Sequence, residues 1–202
     1  MERKYAFEMA LTTKGRATRD RIVEGAATYL RGADPGTVTL DDVRAITGTS
    51  KGQIFHYFPG GKEDLLLAVA RLEADRVLAD QQPHLADLTT WPSWTRWRDA
   101  LVARYRAQGR LCPLGTLMDQ VRNTPGAAEV VTVLLTQWAD DIERGIRTMQ
   151  HTGEIRVELP PRRTAAAFIA GIQGGVQVLR STGSTDHLEA VLDLLIDHLR
   201  PA

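Results

Sequence analysis

The chain has 202 residues, 43% hydrophobic and 25% charged, an ordinary globular composition with enough apolar content for one or two small cores. Twenty-five Lys and Arg balance twenty-five Asp and Glu, so a nucleic-acid partner would have to be held by a local patch, not by the charge of the whole chain. The single cysteine, Cys112, excludes an intrachain disulfide; no run of about 18 apolar residues offers a membrane span, and residues 1–13 lack an apolar signal core, so the expected location is cytoplasmic.

Helical periodicity begins at Lys14 and no segment alternates in the manner of a hairpin, which predicts an all-α protein of about nine helices. Residues 1–13 read as an N-terminal arm, with Arg3, Lys4 and Lys14 available to add to a grip on phosphates. The first helix is expected over 14–31, with Ile22, Ala26, Tyr29 and Leu30 on one stripe, ending before Asp34-Pro35-Gly36.

Residues 39–58 read as two short helices about a turn. Thr39 is placed to N-cap the first, with Asp42 three residues on as its capping-box partner, and Ser50 and Gln53 repeat the spacing for the second. Leu40, Val43 and Ile46 fall near one face, Gly48 supplies the positive φ of the turn, and Ile54 and Phe58 point inward from the second helix. That leaves Lys51, Gln53, Phe55, His56 and Tyr57 outward: a cation, a base-edge amide and flat rings, the side chains of a helix-turn-helix that enters the DNA major groove. From Lys14 to Lys62 there are eight basic and five acidic residues, a mild local excess of positive charge.

The run Gly48 to Phe58, followed by Lys62-Glu63-Asp64-Leu65-Leu66 and preceded by Arg19-Asp20-Arg21-Ile22-Val23-Glu24-Gly25-Ala26-Ala27, resembles the DNA-binding domain of the TetR family of bacterial transcriptional regulators. The longer turn Phe58-Pro59-Gly60-Gly61-Lys62 and the stretch Leu111-Cys112-Pro113-Leu114-Gly115 are similar to an LmrA-like subgroup. The resemblance implies DNA contacts from Thr39, Ser50, Lys51, Gln53, His56 and Tyr57, with Lys62 on the phosphate backbone. This chain departs from the family pattern at Phe55, where a Tyr is common, at Arg44, where a small residue is usual, and at Thr49, where an aliphatic is usual.

A fourth helix over 62–82, carrying Leu65, Leu66, Val69, Leu72 and Val77, is expected to join a helix-turn-helix domain of residues 14–61 to a second domain of residues 62–202. A Trp-rich helix follows over 91–108, then helices over 114–122, 126–151, 161–180 and 185–199, bounded by Pro113, Pro125, Gly153, Pro160 and Gly183. Trp94, Trp97, Leu101 and Tyr105 share a helical face. With Leu114, Leu117, Met118, Val121 and Trp138, and with Gln137, Asp141 and Gln173 as polar groups, they are either core or the lining of a pocket for a planar, apolar ligand. The LmrA-like resemblance suggests effectors of flavonoid type.

The small-residue run 165–176 permits close helix approach. Here the family resemblance implies a four-helix dimer interface, with Phe168, Ile172, Val176, Leu179, Leu192, Leu195 and Leu199 as candidates. Cys112 reads as an inert buried thiol, with a redox sensor as the alternative. The five histidines lack paired ligand spacings, so neither metal nor cofactor is expected, and no nucleophile elbow, phosphate loop or acid pair marks an enzyme. The expectation is a homodimeric regulator, a repressor leaving its double-stranded DNA operator when a small-molecule effector shifts the 62–82 helix. An activator, a partner-regulated DNA-binding protein or a helical enzyme are the alternatives.

Overall fold

The computed structural model describes residues 11–30, 39–110 and 126–201, and among them all regular structure is helical. The elements are α1 (Thr13–Leu30), α2 (Leu40–Thr47), α3 (Lys51–Tyr57), α4 (Lys62–Ala79), α5 (Trp91–Gln108), α6 (Ala127–His151), α7 (Pro161–Thr182) and α8 (Asp186–Leu199), with a 3-10 turn at Leu85–Asp87. The helix expected over 114–122 lies outside the described residues, as do the candidates Leu114, Leu117, Met118 and Val121, and Cys112. The fourth helix ends at Ala79 and not at Gln82, because the chain tightens there into single-turn bonds from Gln81 N–H to Leu78 O and Gln82 N–H to Ala79 O, ahead of Pro83.

The chain divides into two compact units. One holds the described residues up to Glu73 together with 126–128, the other holds 74–110 and 129–201. In the first, Ile22, Val23, Ala26, Ala27 and Leu30 of α1 bury against Val43, Ile54 and Phe58, and Leu65, Leu66 and Val69 of α4 complete the core. α1 and α2 meet where Gly25 faces the methyl of Thr47: a Cβ on residue 25 would collide with it, so glycine sets the approach there. Arg44, by contrast, stays in solvent in an ion pair with Asp41 at 2.7 Å and does not hold the helices apart.

One expected core position is corrected. Ile46 is 45% exposed and Thr47 takes the inward place at 6%. A buried hydroxyl is tolerated because it is satisfied: Thr47 Oγ1 donates to Val43 O at 2.7 Å and pairs with Thr49 Oγ1 at 2.6 Å. Thr49, in place of an aliphatic, is therefore the polar half of a buried pair.

The second unit is built on α5. Thr90 caps it, with Ser93 as reciprocal partner and Pro92 in the first turn, where a missing N–H costs nothing. Trp94 and Trp97 stand perpendicular, 5.9 Å between ring centroids, and Phe168 of α7 packs on both at 5.5 and 6.1 Å. α7 and α8 approach closely because Gly175 sits on the Leu188 backbone, where a Cβ would lie 2.7 Å from Leu188 Cα. α8 is also tied to α5 by charge. Arg98 grips Asp193 with two nitrogens at 2.8 and 2.9 Å, and Arg106 reaches Glu189 at 2.7 Å.

Candidate functional site

The helix-turn-helix is assembled from local rules. Thr39 accepts from Asp42 N–H while Asp42 accepts from Thr39 N–H at 2.9 Å; Ser50 and Gln53 make the same reciprocal pair at 3.2 and 3.0 Å. Gly48 closes α2 in the left-handed region at φ 61°, a conformation that penalises any Cβ. Hydrogen bonds from the Thr39 hydroxyl and backbone hold the Asp42 carboxyl below its ordinary value, with Lys62 adding a smaller attraction. Arg21 of α1 donates to the Thr47 carbonyl, so the C-terminus of α2 is fixed to α1.

Ile54 and Phe58 anchor α3 to the core at 0% and 2% exposure, which turns Lys51, Gly52, Gln53, Phe55 and His56 to solvent; Tyr57 is half-buried, its ring edge against His56 at 4.8 Å. Thr39 and Ser50 are exposed and Lys62 half-buried. The Gln53 side-chain oxygen accepts from the Ser50 N–H at 3.0 Å, which leaves its amide N–H groups without a role in the cap. The seven expected DNA-facing residues thus lie at α3 and at the starts of α2 and α4.

In the second unit Trp94, Trp97, Leu101, Tyr105 and Trp138 are all buried. Two of the indoles are satisfied within the unit, Trp94 Nε1 on Met149 Sδ at 3.0 Å and Trp97 Nε1 on Gln81 Oε1 at 3.0 Å. Gln137 and Gln173 point to solvent, and Asp141 pairs with Arg144 at 2.8 Å on the helix surface. None of these three lies among the buried rings. Sequence reasoning missed three buried polar atoms of this unit: among the described residues Trp138 Nε1, Arg104 Nε and Gln108 Oε1 have no hydrogen-bond partner. Arg104 and Gln108 are four apart on α5, a spacing that places both on one face but carries no signal of burial in the sequence.

The candidate dimer residues are corrected by burial. Phe168, Ile172, Leu179, Leu192 and Leu199 are 0–1% exposed within the single chain and Val176 is 6%, so they face its own core and have no surface to offer a partner; Leu195 alone of the set is partly exposed. Outside that core, Ala167, Ala170 and Gly174 of α7 and Leu194 of α8 are exposed, Leu194 at 71%, while Gly171 packs on Val191 and Leu195. Gly174 has nothing within 4 Å of where a Cβ would be. An open groove of about 420 Å³, lined by Leu159, Pro160, Arg163, Thr164, Ala167, Leu195 and His198, ends this surface.

Comparison with known proteins gives this geometry its context. Residues 22–69 match the family described as bacterial regulatory proteins, tetR family, and residues 94–195 match the tetracyclin repressor-like C-terminal domain. The chain is 25% identical over 182 residues to the HTH-type transcriptional repressor AcnR of Corynebacterium diphtheriae, covering 90% of this chain and 91% of that one. It is 27% identical over 135 residues to an uncharacterized HTH-type transcriptional regulator of Mycobacterium tuberculosis, covering 60% and 66%. Among solved structures, a TetR transcriptional regulator from Chloroflexus aurantiacus superposes with a TM-score of 0.76 at 27% identity over 95% of this chain and 100% of that one. The complex of SmeT with triclosan superposes at 0.68 and 17% identity over 92% of each. With both of its parts matched, and a capped helix-turn-helix on an all-helical frame, the chain belongs to the TetR family of bacterial transcriptional regulators.

Proposed function

We propose that the protein is a homodimeric repressor that lays α3 of each subunit into successive major grooves of a two-fold operator and releases it when a small molecule occupies the second unit. The observation that carries the DNA-reading half is the roll of α3: burial of Ile54 and Phe58 leaves Lys51, Gln53 and His56 outward. The AcnR relative is called a repressor, which favours repression over activation. A role in gene regulation, not catalysis, follows from the family.

Dimerisation is supported by Gly174. Glycine costs a helix interior about 1 kcal/mol relative to alanine, and among the described residues nothing packs against this position to require it. A second copy approaching the Ala167-Gly171-Gly174 and Leu194 face would use both the missing side chain and the exposed apolar one.

The ligand reading rests on Trp138. A wholly buried indole N–H without an acceptor among the described residues is costly, and a ligand that brings one would recover that cost. The effector is therefore a largely apolar, aromatic molecule that also carries a hydrogen-bond acceptor; a neighbour of the same fold, SmeT, is seen in complex with triclosan. The test is selection of duplex DNA from the organism's own genome, followed by release assays with a panel of aromatic compounds. Selection of a two-fold site and its release by one compound class is the expected result. Binding of such compounds without any change in operator affinity would remove the release mechanism, since linkage requires the two to oppose each other.

A further inference from the structure

Phe55 is the one large apolar side chain that α3 leaves in water. It is 43% exposed, lies four residues after Lys51 on the same helical face, and belongs to the surface that the proposed function presents to base edges. The ring is not loose. Its Cε1 lies 3.2 Å from where a Cβ would stand on Gly61, and Gly61 holds φ 64°, so the ring edge rests on a turn that only glycine shapes comfortably. Ile54 and Phe58 complete the buried contacts of α3 without it.

A phenylalanine cannot hydrogen-bond a phosphate or a base. Its polar neighbours on α3 supply donors: the Lys51 ammonium, and the amide N–H groups of Gln53, whose oxygen accepts from the Ser50 cap. Of the groups displayed in the major groove, the thymine 5-methyl is the one that an apolar ring reads, by displacing water from both surfaces. We infer that Phe55 is a specificity residue that packs on a thymine methyl in each half-site, beside an acceptor-bearing base edge faced by Lys51.

This inference rests on the DNA-reading function proposed above, and the experiment separates the two. The wild-type protein selects a site from a random duplex library, and each thymine of that site is then replaced singly by deoxyuridine, which deletes the methyl and keeps every hydrogen-bonding group. One symmetry-related position is expected to lose about four-fold in affinity per half-site, the worth of one buried methyl group. Phe55→Ala, checked for native helicity, is expected to bind more weakly and to lose that discrimination, whereas Phe55→Tyr keeps the ring and keeps it. A selected site at which every uridine substitution is silent for the wild type overturns the inference and leaves the DNA-binding function standing. Failure to select any site overturns both.

Discussion

Two helix pairs, α2–α3 and α7–α8, are each held by glycine, yet for opposite reasons. In the first, Gly48 is needed for a backbone angle, and the pair is otherwise specified within twenty residues by two reciprocal caps. In the second, Gly171 and Gly175 are needed for space, because a Cβ at either would meet Val191 or Leu188 on a neighbouring helix. The first pair carries its geometry in its own sequence, and beyond Val43, Thr47, Thr49, Ile54 and Phe58 it leaves most of its side chains at the surface. The second takes its geometry from contact, with Phe168 wedged against Trp94 and Trp97, and has only its outer face left to offer. The element proposed to read DNA and the one proposed to assemble the dimer thus divide along the line between local and tertiary encoding.

Changes to α7–α8 should have the largest effects, and should separate its two faces. Phe168→Asp places a charge among buried rings, and a loss of more than about 4 kcal/mol is expected, seen as collapse of the denaturant midpoint and not as a clean monomer. Leu194→Glu touches only the outer face. It should keep the native midpoint while light scattering shows a monomer, with dimer dissociation rising at least about 100-fold if two symmetry-related anchors are lost. A folded, fully dimeric Leu194→Glu would move the interface off this face.

For α2–α3 the expected effects are smaller and fall on binding. Lys51→Ala and His56→Ala should each cost about 1 to 3 kcal/mol of operator affinity at fixed salt, with stability changed by less than about 0.5 kcal/mol, because neither side chain is part of the core. An unaltered affinity in the double variant would take α3 out of the groove. Ser50→Ala should instead cost about 1 kcal/mol of stability through loss of the cap, readable as a lower urea midpoint even without DNA.

The smallest effect concerns the charge tie between α5 and α8. Hydrogen bonds from Thr185 and then Arg106 hold the Glu189 carboxyl below its ordinary value. A carboxyl depressed in the folded state stabilises above its unfolded value, and that contribution fades as pH falls through the lowered one. Thr185→Val should therefore move the Glu189 titration, followed by carbon NMR, upward toward the ordinary glutamate range. An unmoved titration would assign the shift to the arginines Arg106 and Arg98.

The sequence by itself determined the caps and the turn of the helix-turn-helix, since capping boxes and a positive-φ glycine are rules that act over three or four residues. The order of helices was legible for the same reason: Pro, Gly and apolar periodicity act locally, and α5, α6, α7 and α8 begin and end within two residues of expectation. Periodicity says which residues share a stripe, but not what that stripe meets. Hence Thr47 and not Ile46 turned inward once α1 approached at Gly25, and Phe168 and Ile172 proved to be core once the tryptophans of α5 took the space beside them. The unpartnered Trp138 indole was equally invisible, because a hydrogen bond left unmade is a property of surroundings that only tertiary packing supplies.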